Sequence, residues 1–339
     1  MPGDAGAAGK RPRRPDWYKA LGKYEQPDLR KAVWQLCNTF IPYLALWALM
    51  LYLVMNRYPY WMVVAPGVLA AGLMMRIFIF FHDCCHGSFF ASPRANRILG
   101  YITGTMVLTP FDKWRASHLF HHSAFANLDR RGTGDALLMT VEEYRNAPPL
   151  TRAAYWLYRQ PLFLFTVAPA FMFAVIFRFP KRGAKRSEHL SVALLNAFIV
   201  LVLLLSHLTI GIRTILLVQL PILLIVWNTG VWFFYIQHQF HGVYWAREKE
   251  WDFIRASLEG ASYYRLPAVL QWFSGNIGLH HLHHLRPRIP NYHLQRCYDE
   301  TPAVQGVTPV TLRSSLRSLG LNVYDEQRRE LVSFRSLRE

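Results

Sequence analysis

Three clusters of histidines repeat one spacing along the chain. They are His82 and His86, then His118, His121 and His122, then His280, His283 and His284. On a helix, residues three or four positions apart lie on the same face, so each cluster can direct its imidazoles to one place. Eight imidazoles are too many for one zinc ion, which usually has four ligands. The spacing therefore predicts two nitrogen-ligated transition metals held close together.

Simpler interpretations account for fewer of these residues. His82 and His86 alone resemble the HExxH helix of zinc proteases, with Asp83 at the position of the general base. An intramembrane zinc protease would leave the other two clusters without a role. A metal transporter would place its histidines near the middle of the membrane, whereas these clusters lie at or beyond the ends of apolar segments. Solvated surface histidines would rarely repeat one spacing in this way.

Other histidines lie close to the clusters. His238 and His241 follow the last apolar segment, and either of them could be a ninth ligand. His238 is the better candidate because it is nearer to the end of the predicted helix. His281 is off the face that its neighbours share, so it is predicted not to bind metal.

Four polar residues are candidates for supporting the ligands. Asp83 could accept the second N–H of a metal-bound imidazole, as carboxylates commonly do. Asp129 and Asp135 flank the second cluster and could act in the same way, or they could pair with the neighbouring arginines. Asn276 precedes His280 by one helical turn and could hold a metal-bound water or cap a helix.

The composition is that of a helical membrane protein. The 339 residues are 52% hydrophobic and carry a formal net charge of +17. The basic residues flank apolar segments rather than forming a patch with aromatic residues, which argues against nucleic-acid binding. They favour a positive-inside topology and attraction to anionic lipid. Cys84 and Cys85 are adjacent and lie inside a histidine cluster, so the four cysteines are predicted to be free thiols on a reducing side.

Five apolar segments require placement. They are residues 40–55, 60–81, 161–177, 190–205 and 215–236. If all five crossed the membrane, the first two clusters and the last one would face opposite sides and could not share a site. Residues 161–177 are few, contain Pro169 and precede a basic run, so we expect an interfacial or re-entrant segment there and a similar one at 98–111. Arg76 is expected to reach the cytoplasmic headgroups.

These placements predict an all-α integral membrane protein. Its four transmembrane helices would form two hairpins, and a cytoplasmic helical cap would carry the histidine-ligated dimetal site. We divide the chain into a basic, disordered cytoplasmic arm (1–30), a membrane domain (31–310) and a polar cytoplasmic tail (311–339). The metal site and both termini are then expected on the cytoplasmic side.

The clusters resemble those of the membrane-bound fatty acid desaturases, whose shared pattern is HxxxH or HxxxxH, then HxxHH twice. The strings HDCCHGSFF, LDRRGTGD, TVEEY, QHQF and GNIGLHHLHHLRPRIPNY are most similar to acyl-lipid desaturases of the delta-12/omega-6 kind. The resemblance covers residues 77–295. Two positions depart from it, since Cys85 stands where that group usually has glycine and His241 stands where an acidic residue is common.

The resemblance implies a non-haem diiron centre and O₂-dependent insertion of a cis double bond into a fatty acyl lipid in the bilayer. The ligands carried over are His82, His86, His118, His121, His122, His280, His283 and His284, with His238 or His241 completing the set. No fused haem, flavin or iron–sulfur motif is apparent, so two electrons would come from an external ferredoxin-like or cytochrome-type donor. The alternative within the same chemistry is a diiron lipid hydroxylase or ketolase acting, for example, on a carotenoid.

Overall fold

The fold is mostly helical in the computed structural model, which describes residues 14–337. In chain order the helices are α1 (Asp16–Ala20), α2 (Leu29–Met55), α3 (Trp61–His86), α4 (Pro93–Met106), α5 (Phe111–Ala124), α6 (Val141–Asn146), α7 (Pro149–Tyr158), α8 (Ala168–Ala174), α9 (Arg186–Leu208), α10 (Ile212–His238), α11 (Phe253–Glu259), α12 (Ala268–Phe273), α13 (His280–Leu285), α14 (Asn291–Asp299) and α15 (Leu312–Ser315). The strands are β1 (Tyr264–Arg265), β2 (Val310–Thr311), β3 (Val323–Asp325) and β4 (Glu330–Val332).

Four helices are long and apolar enough to cross a membrane, namely α2, α3, α9 and α10. This confirms the prediction of four membrane helices, although each helix extends beyond its apolar segment. The Asp28 carboxylate accepts a hydrogen bond from the Lys31 N–H, which caps α2 well before its apolar part begins. At the other end of the hairpin, Gly87 adopts a φ of 67° and terminates α3 just after His86. Helix α3, the second helix of the first hairpin, therefore projects past its apolar segment. It carries His82 and His86 on that extension, as the sequence predicts.

The membrane part is built around α2, α3 and α10. Their facing side chains form one buried cluster that includes Tyr43, Met50, Ala70, Met74, Val218 and Ile222. Helix α9 instead packs against α5 and leaves much of its apolar surface exposed, for example Val200 at 65% and Leu208 at 69%. Exposed aliphatic surface of this extent is typical of a helix that faces lipid.

Residues 149–178 form a bent pair of helical segments. Helix α7 and the segment Phe163–Arg178 meet at an angle of 67°, and a π-helical turn, Phe163–Val167, follows the bend. The second half packs on α10, where the Phe173 ring stacks on Trp227 with centroids 5.3 Å apart. The bend suits the predicted interfacial or re-entrant segment, and a fifth span would result only if the two halves are counted as one.

The second predicted interfacial segment, residues 98–111, forms the end of α4 and a tight loop into α5. Ile98 and Ile102 are exposed at 56% and 50% on one side of α4. Gly104 faces the Thr109 carbonyl so closely that a Cβ there would lie 2.7 Å from the oxygen. The turn that directs α5 toward the other histidines therefore requires a glycine at this position.

The expectation that Arg76 reaches the lipid headgroups is wrong. Its side chain is only 4% exposed, and its guanidinium lies 4.2 Å from the centre of the Trp272 ring on α12. It also donates to the Trp272 carbonyl and, at 3.1 Å, to the Thr39 hydroxyl of α2. Arg76 therefore joins the membrane helices to the cap, because α12 covers the position that headgroups would otherwise occupy.

Both ends of the described part of the chain contribute to the folded structure. Of the predicted disordered arm, residues 1–13 lie outside the described part, but residues 14–30 are ordered, which corrects that expectation. Tyr18, Leu21 and Tyr24 are buried against α13 and α14, because the cap would otherwise expose the leucines of these helices. In the predicted tail, β3 and β4 pair in antiparallel fashion and bury Tyr324 and Leu331 in the same cluster as the end of α10.

Arg159 connects the bent segment, α10 and the C-terminal residues. It is 2% exposed, and its guanidinium donates to the Leu137 carbonyl (3.2 Å), the Tyr235 hydroxyl (3.1 Å), the Gln239 side chain (3.2 Å) and the Leu321 carbonyl (2.6 Å). A buried charge of this kind is tolerated only when its donors find acceptors.

We predict that Arg159→Met destabilises the protein. Each buried acceptor left without its donor costs about 1–3 kcal/mol, so the thermal unfolding midpoint in detergent should fall by about 5 °C or more. Arg152→Met is the control because Arg152 lies on α7 and is exposed. Equal midpoints for the two variants would contradict the proposed connecting role of Arg159.

Candidate metal centre

The three histidine clusters and His238 converge where the ends of α3, α5, α10 and α13 meet. The nine side chains form two adjacent groups, and within each group the candidate ligand atoms lie within 4.8 Å of one another. The first group consists of His82, His86, His118, His122 and His283. The second group consists of His121, His238, His280 and His284. All nine residues are the candidates that the sequence predicts, and their role as metal ligands stays a prediction.

The groups do not follow the order of the clusters along the chain. The second cluster gives His118 and His122 to the first group but His121 to the second. The third cluster gives His283 to the first group, while its other two members join the second. Since α5 and α13 each contribute to both groups, neither metal position can be built without both of these helices.

The ring nitrogens approach one another closely within each group. The Nε2 atom of His118 lies 2.9 Å from that of His86 and 3.1 Å from that of His122. In the second group, the Nε2 atom of His280 lies 3.1 Å from that of His238 and 3.0 Å from that of His284. Two nitrogens that bind one ion at about 2.1 Å each are about 3.0 to 3.4 Å apart. The observed separations are therefore short enough for neighbouring rings to bind a common ion.

The converging ring nitrogens have no partner outside the two groups among the described residues. The buried Nε2 of His82 has no hydrogen-bond partner there, and the Nε2 atoms of His118, His122 and His280 contact only the Nε2 atoms of other histidines. A neutral imidazole has only one N–H, so clustered rings cannot satisfy one another fully. Lone pairs that converge in a buried space are explained by a bound cation, and the five-membered group exceeds the four ligands usual for zinc. The residues therefore fit two metal ions.

Five of the clustered histidines outside the membrane helices are held neutral. Burial, followed by the neighbouring imidazoles, lowers the pKa of His118, His122, His280, His283 and His284 well below the usual range. The neutral ring is the form that binds metal, so the site is prepared for metal at physiological pH.

Two of the predicted supporting carboxylates contact the groups directly. The Asp83 carboxylate accepts a hydrogen bond from His82 Nδ1 at 3.3 Å, and its other oxygen accepts from the backbone and side-chain N–H groups of Asn291 at 2.8 and 2.9 Å. The Asp135 carboxylate accepts from His121 Nδ1. These contacts direct the Nε2 atom of each ring toward its group.

The other predicted supporting residues lie elsewhere. Asp129 pairs with Arg247 at 2.6 Å and accepts from the Glu248 N–H, so it stabilises a surface loop. His241 is exposed and outside both groups, whereas His238 lies within the second. Asn276 has a φ of 60° and donates to the Asn291 carbonyl at 3.1 Å, which is a structural contact beside α13.

Several contacts around the histidines were not predicted. The Gly260 carbonyl lies 3.2 Å from His238 Nδ1, and Asn291 fixes the Asp83 carboxylate as described above. The Trp114 ring stacks on His118 with centroids 4.2 Å apart, and the Phe125 ring lies 4.1 Å from that of His284. Trp114 follows from helical spacing, since it precedes His118 by four residues. The Gly260 carbonyl carries no signal in the sequence.

An apolar cavity of about 350 Å³ extends from the histidines into the membrane helices. His82, His118 and His280 line it, so it reaches both groups. On α3 its other lining residues are Met75, Phe78 and Ile79, and on α10 they include Trp227, Gly230, Val231 and Phe234. These positions continue the helix faces that carry His82 and His238, with the same spacing of three and four. The segment Phe163–Arg178 supplies Phe173, Ile176 and Phe177 to the cavity wall.

Comparison with known proteins agrees with this arrangement. A family model described as fatty acid desaturase matches residues 59–311, which include every histidine of both groups. The protein named fatty acid desaturase from Bacillus subtilis (strain 168) is 43% identical over 320 residues, which cover 94% of this chain and 90% of that protein.

More distant relatives come from Arabidopsis thaliana. The sn-2 acyl-lipid omega-3 desaturase (ferredoxin), chloroplastic, is 27% identical over 274 residues, or 73% of this chain and 56% of that protein. The acyl-lipid omega-3 desaturase (cytochrome b5), endoplasmic reticulum, is 27% identical over 271 residues, or 72% of this chain and 67% of that protein. The family match spans most of the chain and includes all nine histidines, and the chain belongs to the fatty acid desaturase family.

Proposed function

We propose that this protein is an integral membrane acyl-lipid desaturase that uses O₂ and two electrons to introduce a cis double bond. The observation that carries the proposal is that one apolar cavity touches both histidine groups. An acyl chain in that cavity would lie beside both metal positions at once. The reaction removes two hydrogens from adjacent methylenes, and with two electrons and two protons O₂ leaves as two waters.

Two iron ions are the proposed cofactors, one for each histidine group. The first would be held by His82, His86, His118, His122 and His283, and the second by His121, His238, His280 and His284. Imidazole ligands suit iron, and bound iron supplies the one-electron and O₂ chemistry that abstraction from an unactivated methylene requires.

The side chains around the metal positions orient the histidine ligands and exclude water from the cavity. Asp83 and Asp135 hold His82 and His121 in the tautomer whose Nε2 lone pair points inward. The aromatic walls of the cavity exclude water and hold an extended apolar chain, which is the role that positions the reacting carbons. No side chain in the cavity needs to act as a nucleophile.

The basic residues before α9 indicate which side of the membrane the metal centre faces. Basic residues cluster in the loop that joins the re-entrant segment to α9, including Lys181, Arg182, Lys185 and Arg186, and this charge favours the cytoplasmic side. We place the metal centre and both termini on that side. The electrons would come from a separate ferredoxin-like or cytochrome-type carrier, since the Arabidopsis relatives bear names of both kinds.

Expression in a host that lacks polyunsaturated lipids tests the activity. We expect gas chromatography–mass spectrometry of the total fatty acids to reveal a new double bond, and we expect His121→Ala to abolish it because that variant removes a ligand of the second group. An unchanged acyl profile from folded, iron-loaded protein with a working donor would refute desaturation and would favour hydroxylation or ketolation of another lipid.

Metal content tests the assignment of ligands to the two groups. Purified protein should contain about two irons per chain, whereas His283→Ala and His280→Ala should each retain about one, because they affect different groups. Inductively coupled plasma mass spectrometry measures the content directly.

His281→Gln is the matched control for metal content. His281 is fully buried on the same helix, but its Nε2 contacts the Val304 carbonyl at 3.1 Å and it belongs to neither group. In the same assay, His238→Ala should lose iron and His241→Ala should not. Loss of iron from the control to the same extent as from His280→Ala would contradict the assignment.

A substitution at Gly230 tests whether the acyl chain binds in the cavity. A Cβ at Gly230 would meet no atom within 4 Å, so a large side chain would extend into the cavity. We expect Gly230→Phe to lower product formation more than tenfold while the iron content is unchanged. Leu220→Phe on the same helix is the control, since Leu220 is exposed and outside the cavity lining. Normal activity of Gly230→Phe would show that the chain binds elsewhere.

A further inference from the structure

Three cations lie together at the end of the cavity that is formed by the re-entrant segment. Lys113 and Lys181 both line the cavity, and Arg178 lies between Ile176 and Phe179, the two residues whose carbonyls accept hydrogen bonds from Lys113. Lys113 is 5% exposed, and its ammonium group donates to the carbonyls of Ile176 (2.7 Å) and Phe179 (2.6 Å). Lys181 is exposed. The cavity therefore has an apolar interior and a basic mouth.

None of these cations has a carboxylate partner among the described residues. Arg178 donates to the Leu108 carbonyl (2.7 Å) and the Asn196 side chain (3.3 Å), and its buried Nε has no partner at all. The Glu188 carboxylate, which faces Lys113 from α9, accepts from the Lys185 N–H and caps that helix. Burial, and then Lys181 and Arg178, lower the pKa of Lys113 to about 8. Buried positive charge without a counterion is costly, so an anion at this position would be stabilised.

The surroundings of the mouth indicate where such an anion would come from. Ile176 and Phe179, whose carbonyls hold Lys113, expose 47% and 64% of their own surface. Apolar side chains exposed to this extent beside a membrane helix favour contact with lipid. A ligand that enters the cavity here would come from the bilayer rather than from the aqueous phase.

We propose that Lys113, Arg178 and Lys181 bind the phosphate of a glycerophospholipid whose acyl chain occupies the cavity. The inference rests on the proposed function and specifies its substrate as a phospholipid. The headgroup would remain at the mouth while the apolar chain extends past Trp227 and Phe234 toward the histidines. Lys181 is the residue to vary because it is exposed and its side chain holds no other element in place.

The test compares two lipids with identical acyl chains. Iron-loaded protein with its electron donor is supplied with dipalmitoyl phosphatidylglycerol or dipalmitoylglycerol in a neutral detergent. We expect Lys181→Gln to raise the KM for the phospholipid about fivefold, with kcat and the values for dipalmitoylglycerol unchanged. Arg182→Gln removes a neighbouring exposed cation that does not line the cavity, and it should behave as the unaltered protein.

Native mass spectrometry of lipid binding provides a readout that needs no turnover. Lys181→Gln should retain less phosphatidylglycerol than the unaltered protein and the same amount of dipalmitoylglycerol. Millimolar inorganic phosphate should not displace the phospholipid, because the acyl chain supplies most of the attraction.

Several results would overturn the headgroup site. They are an unchanged phospholipid KM in Lys181→Gln, equal effects on both lipids, an equal effect of Arg182→Gln, or full displacement by inorganic phosphate. Failure of the proposed function is distinguishable, since the unaltered protein would then form no double bond in any lipid although phospholipid binding remained measurable.

Discussion

The convergence of nine imidazoles in a buried space is the constraint that organises the molecule. Each ring could be hydrated in an unfolded chain, and burial removes that water without giving several ring nitrogens a protein partner. Metal binding can offset the free-energy cost of burying these nitrogens, as it does in proteins whose folding is coupled to metal binding. The helices that carry the rings must therefore be held together by contacts elsewhere.

Those contacts come from residues outside the histidine clusters. Arg76 connects α12 to the membrane helices by a hydrogen bond, and Arg159 connects the C-terminal residues to the end of α10. Tyr18 and Tyr24, near the start of the described chain, cover the leucines of α13. The cap is thus closed by long-range contacts between chain ends and membrane helices, which is why ligands from residues 82 to 284 can meet at one place.

The sequence predicts the local features of this structure well and its long-range features poorly. The four membrane helices follow from continuous apolar segments, and the histidines follow from their repeated spacing, because both signals lie within a few turns of helix. The sequence does not indicate that α12 packs over Arg76, so it suggests lipid exposure there. The basic composition of residues 14–30 likewise conceals the tyrosines that are buried in the structure. The distribution of each cluster over two groups depends on the relative orientation of α5 and α13, which spacing within one helix cannot determine.

One long-range feature is nevertheless encoded locally. The cavity walls on α3 and α10 continue the helix faces of His82 and His238, so a ligand and the residues that would guide the acyl chain lie on one rigid element. A helix rises about 1.5 Å per residue, so the distance from a lining residue to the metal position is set by the number of residues between them. Substitution at Gly230, two turns before His238, would change the space available to the chain without moving the ligand. A substitution in the cavity wall can therefore change which carbons of an acyl chain would reach the metal position without moving the histidine, although one helix carries both residues.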